Sequence, residues 1–156
     1  MRIKRVLCPV DFSSCSNLAL EHARKFAESH DATLVVAHAT PLRGYSMATN
    51  CISSRPDPRL ETMSIPDVSK PIHRVHLVGF AGEAIVDFAD ESDVDMIIMG
   101  THGYSGFTRF LMGSVADYVL RHASCPVVVI RDPSRMQAKS SDALVEELPE
   151  SSYGAS

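Results

Sequence analysis

Apolar positions fall along this chain in short blocks that alternate between two periods. Arg5 to Val10 is a nearly continuous run rich in valine and leucine, the pattern of a strand buried on both faces. Asp11 to Ser16 is a polar turn of helix-capping residue types, and Ala19, Ala23 and Phe26 then share one stripe at helical spacing. This predicts a helix over 17–29 that ends before Asp31. Thr33 to Ala39 returns to strand character, and strand, helix and strand within about 35 residues is the signature of a βαβ unit.

The alternation resumes after a gap. His73 to Val78 is expected to be a strand, and Gly82 to Glu91 a helix with Ile85, Phe88 and Ala89 in its apolar stripe. Asp95 to Met99 is expected to be a fourth strand. A glycine-studded loop runs from Gly100 to Gly113. It is followed by a helix from Ser114 to His122 with Val115, Val119 and Leu120 inward, and by a last strand, Val127 to Ile130. Continuous alternation of strands and helices predicts an α/β domain with a parallel sheet and right-handed crossovers. Between the two halves, 40–71 carries Pro41, Pro56, Pro58, Pro66 and Pro71 among many serines without a sustained apolar period, so an irregular crossover with room for a short helical turn is expected. Beyond Pro133 the chain is polar and serine-rich. Residues 1–132 are read as one domain and 133–156 as a disordered tail.

Composition narrows the function. The 156 residues carry a formal net charge of −4, which excludes sequence-independent nucleic-acid binding through a basic face. The amino-terminal apolar run is shorter than the roughly 7–15 residues of a signal peptide, and no stretch approaches the roughly 20 needed to span a bilayer. A cytoplasmic location without membrane attachment is the expectation. Cys8, Cys15, Cys51 and Cys125 are scattered without metal-ligand spacing and read as incidental thiols of a reducing compartment; no metal site is expected.

In an open parallel sheet, ligands bind beyond the carboxyl ends of the strands. Two segments lie there: Pro9-Val10-Asp11, and the loop that opens with Gly100 and closes at Gly113-Ser114. Glycine allows a backbone to approach a ligand oxygen, and the first turn of a helix offers unpaired N–H groups at a positive dipole end. Together they form a phosphate cradle that needs no excess of basic residues, and Ser114 adds a hydroxyl donor. Neither GxxxxGK[ST] nor GxGxxG after the first strand is present. On the residues alone, the glycines also serve as structural punctuation, Asp11 also serves as a helix cap, and His102 as a general base lacks a nucleophile around it. His38, His73 and His76 read as packing or surface residues. No catalytic residue is assigned.

Gly100-x2-Gly103-x9-Gly113-Ser114 resembles the nucleotide loop of ATP-binding universal stress proteins. The likeness extends to Pro9-Val10-Asp11, to 94–103 (VDMIIMGTHG), to Gly113-Ser114-Val115-Ala116, and to Arg121-His122 and Cys125-Pro126-Val127. It implies an open five-stranded parallel sheet of order 3-2-1-4-5 with helices on both faces, the adenine nucleotide alpha hydrolase-like arrangement. It implies ATP, or ADP or AMP, across the first and fourth strands, with Mg2+ carried by the phosphates. By this resemblance Asp11 takes hydrogen bonds from the ribose or adenine end, and Val10 and Ala39 contact adenine through backbone beside Pro9. Gly100, His102, Gly103, Gly113, Ser114, Val115 and Ala116 line ribose and phosphates, with Met99 packing nearby. The sequence departs from the family pattern in its proline-rich crossover and at Tyr104, where a basic residue is common; Arg109 stands near to compensate. The implied function is nucleotide-dependent regulation in a stress response, by a homodimer paired through the Val127–Ile130 edge and acting on a protein partner. The alternatives are a slow ATP-hydrolysing or phosphoryl- or nucleotidyl-transferring enzyme, and a dimeric interaction module without nucleotide.

Overall fold

A computed structural model of the chain describes residues 2–46, 51–53, 56–66, 69–101 and 113–131. The sheet grows from its most apolar segments. β1 (Arg5–Pro9) pairs in parallel with β2 (Thr33–Thr40) on one side and with β6 (Met96–Gly100) on the other. β5 (His73–Val78) extends the sheet beyond β2, and β7 (Val127–Ile130) beyond β6. The order β5-β2-β1-β6-β7 places the third, second, first, fourth and fifth strands of this sheet side by side, the expected 3-2-1-4-5 arrangement.

Successive strand residues face opposite ways, so two cores form. Val6, Cys8, Leu34, Val36 and Ile98 face α1 (Ser14–Ser29), where Ala19, Leu20, Ala23 and Ala27 meet them. Leu7, Val35, Ala37, Ile97 and Met99 face α3 (Ala81–Glu91) and α4 (Ser114–His122), where Ile85, Ala89, Ala116 and Val119 close over them. The α4 stripe differs from the expected one: Ala116 and Val119 are buried, whereas Leu120 is 38% exposed, because one residue past Val119 turns the side chain about 100° around the helix.

Both long crossover helices end alike. After α1, the Asp31 N–H donates to Glu28 and the Ala32 N–H to Ala27, with Asp31 at φ 53°. After α3, the Val94 N–H donates to Ala89, with Asp93 at φ 50°. This is the left-handed helix stop, made here with aspartate in the place usually taken by glycine. Asp95 then ties β6 to β1: its Oδ2 accepts from the Lys4 and Arg5 N–H groups at 2.7 and 2.9 Å, and these bonds hold its carboxyl below the usual carboxylate range.

The crossover expected to be irregular over 40–71 contains regular pieces. β3 (Arg43–Ser46) and β4 (Cys51–Ser53) pair antiparallel. α2 (Pro58–Thr62) starts at the Asp57 cap with Pro58 in its first turn, where proline's fixed φ and missing N–H do no harm. The proline thus begins the helix. Leu60 of α2 is fully buried on the α1 side of the sheet, and Arg74 of β5 donates to the Leu60 and Met63 carbonyls, both at 3.0 Å. The tail, 133–156, lies outside the described residues.

Candidate functional site

Strand order reverses at β1. The chain leaves β1 for α1 on one face and leaves β6 for the segment that opens α4 on the other. The carboxyl ends of β1 and β6 therefore flank the strand-order reversal, the place where doubly wound sheets hold ligands. Pro9, Val10, Asp11, Ala39, Met99, Gly100, Gly113, Ser114, Val115 and Ala116 all belong to this end of the sheet or to the first turn of α4. His102 and Gly103 lie outside the described residues, as do Tyr104 and Arg109.

Asp11 is held by its own turn. Its Oδ1 accepts from the Ser13 N–H at 3.1 Å and from the Ser13 hydroxyl at 2.6 Å, and its N–H donates to the Ser16 Oγ at 3.3 Å. Ser13 is the amino-terminal cap of α1 and accepts from the Ser16 N–H at 3.2 Å. Asp11 supports the cap rather than being it. Val10 continues the ladder past β1, with its N–H donated to Ala37 at 2.8 Å and its carbonyl accepting from His38 Nδ1 at 2.7 Å. The Val10 N–H is thus committed within the sheet, and its carbonyl keeps a second lone pair. β2 runs on to Thr40 beyond the last β1 pairing, Pro9 with Ala37, and so carries Ala39 past the end of β1.

A second knot holds the other side. The Thr101 N–H donates to Ile130 at 3.1 Å, and the Gly113 N–H donates to Thr101 at 2.7 Å, so the chain leaves the sheet and re-enters α4 at one point. Cys15 Sγ lies 3.4 Å from the Ile130 carbonyl and 3.8 Å from Thr101 Oγ1. Neither Thr101, buried at 3% exposure, nor Cys15 was singled out from sequence; the hydroxyl next to Gly100 was the available signal.

Gly100 has a packing role of its own. A Cβ there would stand 3.0 Å from the Cys15 carbonyl carbon, its oxygen and its Sγ, atoms that the first turn of α1 cannot move aside. Gly100→Ala is expected to lower unfolding stability by about 1–3 kcal/mol through overpacking, measured as a drop in the denaturant midpoint at unchanged slope.

The two helix starts at this end of the sheet differ in availability. α1 is capped by Ser13. α4 begins at Gly113 (φ −54°, ψ 145°) without a side-chain cap bond among the described residues, and its first helical bond runs from the Asp117 N–H to the Gly113 carbonyl at 2.9 Å. The amides of Ser114, Val115 and Ala116 precede that bond, as the first N–H groups of any helix do. They form a donor set for an anion. Burial pushes the Cys8 thiol up, and mainly burial pushes up that of Cys125, so both stay protonated and poorly nucleophilic. Among the described residues, no group of three or more His, Cys, Asp or Glu side chains is arranged to hold a metal ion, and no helix is long and apolar enough to cross a membrane.

Known proteins share this frame. A universal stress protein of Methanocaldococcus jannaschii is 30% identical over 143 residues, spanning 85% of this chain and 84% of its own. The solved structure of another protein of that organism superposes with a TM-score of 0.70 at 26% identity, covering 85% of this chain and 98% of that one. The universal stress protein of Archaeoglobus fulgidus, solved in complex with dAMP, has the same fold at a TM-score of 0.57 and 24% identity, covering 83% and 99%. The sequence model of the universal stress protein family matches residues 2–131, and with the sheet order and the two anchored turns this chain belongs to the universal stress protein family.

Proposed function

We propose that this protein is an adenine-nucleotide-binding regulator, with ATP as the first ligand and ADP or AMP as its relatives. The observation that carries the reading is the first turn of α4, uncapped by any side chain among the described residues and fixed by the Gly113–Thr101 bond beside a Pro9–Asp11 turn whose carboxylate is already oriented by Ser13. Phosphates take the amides of Ser114, Val115 and Ala116 together with the Ser114 hydroxyl, a cradle suited to anions in a chain of net negative charge. Asp11 accepts from the ribose or adenine end through the carboxylate oxygen turned away from Ser13. Ala39 offers backbone to adenine, Pro9 and Met99 pack beneath it, and Gly100, His102 and Gly103 complete the ribose and phosphate side. Mg2+ rides on the phosphates. A relative of the same fold holding dAMP supports an adenine nucleotide as the ligand class.

The protein acts in the cytoplasm as a homodimer through β7. That strand is last in the sheet among the described residues, and Val128 on it is 39% exposed, an edge suited to pairing with a second copy. Nucleotide occupancy sets what the dimer presents to a protein partner in a stress response.

Calorimetric titration of nucleotide-stripped protein with ATP and Mg2+, followed by product analysis after long incubation, tests the reading. Saturable binding with ATP left intact is the expected result. Steady release of ADP or AMP would replace it with the enzyme reading, and absence of binding by ATP, ADP and AMP alike would leave a dimeric interaction module.

A further inference from the structure

His38 stands where the crossover meets the nucleotide turn. Its Nδ1 is bonded to the Val10 carbonyl at 2.7 Å, and a carbonyl only accepts, so Nδ1 carries the proton in every charge state. In the neutral ring Nε2 is therefore a bare acceptor. It faces Asp57 Oδ2 at 4.0 Å, another acceptor, with no proton between them. Asp57 is an anion at any working pH, because Arg59 beside it draws its carboxyl down to about 2. A second proton on His38 supplies the missing donor and turns this facing pair into a charge-assisted hydrogen bond.

A second imidazole lies beside His38. His38 pairs across the sheet with His76 of β5, and Arg74 lies two residues before His76. His76 Nε2 is 3.2 Å from Glu61 Oε1, and its Nδ1 is buried with no hydrogen-bond partner among the described residues. Since Glu61 as carboxylate only accepts, Nε2 holds the His76 proton. A further proton on Nδ1 would be a buried donor without an acceptor, which is costly. A new donor on His38 Nε2 meets the Asp57 carboxylate, whereas a new donor on His76 Nδ1 meets no acceptor among the described residues.

Phe12 carries the consequence to the site. It sits between Asp11 and the cap of α1 at φ 63°, a strained conformation for a bulky residue that persists only where surroundings impose it. Those surroundings include the α1-side core against which Phe12 packs, His38, whose ring centre lies 4.6 Å from that of Phe12, and the Arg59 guanidinium, 4.2 Å above it. The groups facing His38 are thus Val10 and Phe12 from the β1–α1 turn, Asp57 and Arg59 from the start of α2, and His76 with Arg74 from β5.

We propose that His38 is a proton-operated positioning residue: on protonation it bonds Asp57, draws the start of α2 onto the Val10–Phe12 turn, and tightens adenine-nucleotide binding as the pH falls. This rests on the nucleotide reading of the same site. The gain comes from holding the turn in its binding shape before ligand arrives.

The test uses ATP with Mg2+ as probe on the full chain, the parent against His38→Gln, Asp57→Asn and His76→Gln, at about pH 8 and about pH 5.5. Glutamine keeps a donor for Val10 but does not titrate. Affinity of the parent relative to His38→Gln is expected to improve roughly fivefold at the lower pH, with Asp57→Asn behaving like His38→Gln and His76→Gln like the parent. Comparison of variants at one pH cancels the titration of ATP itself. In nucleotide-free protein, amide exchange over 57–63 is expected to be slower in the parent than in His38→Gln at the lower pH and equal at the higher. Matching pH profiles for parent and His38→Gln, in affinity and in exchange, would overturn the inference. If the parent binds no ATP at either pH, the nucleotide reading fails and the affinity coupling with it, while the exchange comparison still decides whether protonated His38 draws in α2.

Discussion

Replacing Leu60 by alanine is expected to lower unfolding stability by about 2–5 kcal/mol, although Leu60 sits in a helix of 5 residues inside a proline-rich crossover. A helix this short has no stability of its own in water. It persists because Leu60, fully buried, enters the core formed by Val36, Leu34, Ala27 and their neighbours, with Met63 and Ile65 packed alongside. Truncation removes the transfer energy of the side chain and leaves a cavity under a helix that two Arg74 bonds to its carbonyls keep from collapsing inward. Leu42, nearby in sequence but 53% exposed, is the control, and its alanine variant should stay within about 0.5 kcal/mol of the parent. Denaturant unfolding of the three proteins decides the matter. Equal midpoints for Leu60→Ala and the parent would mean that the crossover is not part of the cooperative core.

The same helix marks the limit of what the sequence makes legible. Strands 5–9, 33–40, 73–78, 96–100 and 127–130 could be read within a residue or so: the inner strands β1, β2 and β6 because burial on both faces makes them apolar along most of their length, the outer β5 and β7 from short runs rich in valine, leucine and isoleucine. The starts of β5 and α4 at His73 and Ser114 were placed to the residue. α2 could not be read beyond a possible turn, since its amphipathic signal is a single buried leucine. Its proline and aspartate, which look like loop chemistry, are its first-turn residue and its cap.

At the site, residue types were legible and their causes were not. Gly100 reads as a glycine kept small for a ligand, yet the carbonyl and sulfur of Cys15 already demand it, so its presence alone says little about phosphate. Asp11 reads as either cap or ligand; it braces Ser13, the actual cap, which leaves its second oxygen compatible with the ligand role. His38 reads as a packing residue on a strand. Its bond to Val10 and its approach to Asp57 join segments far apart in sequence, and no local pattern encodes such a meeting.

Gly113 separates these readings most sharply, because its φ of −54° and ψ of 145° are open to any residue, so the glycine is not required there by backbone strain. Aspartate is a preferred amino-terminal cap. In Gly113→Asp the new carboxylate accepts from the first-turn amides of α4, and unfolding stability is expected to be unchanged or raised by a few tenths of a kcal/mol. Those are the amides assigned to phosphate. The variant therefore sets a fixed negative charge where the ligand's charge belongs, and ATP affinity should fall by about 100-fold or more, the loss of two charge-assisted hydrogen bonds. Gly113→Asn is the companion: it caps the helix without a charge, and its affinity should lie between those of Gly113→Asp and the parent. Calorimetry with ATP and Mg2+, read beside thermal unfolding, gives the answer. A stable Gly113→Asp protein that binds ATP as tightly as the parent would move the phosphates away from α4. Lost affinity with retained stability would tie nucleotide binding to that turn, since simple misfolding cannot remove one and spare the other.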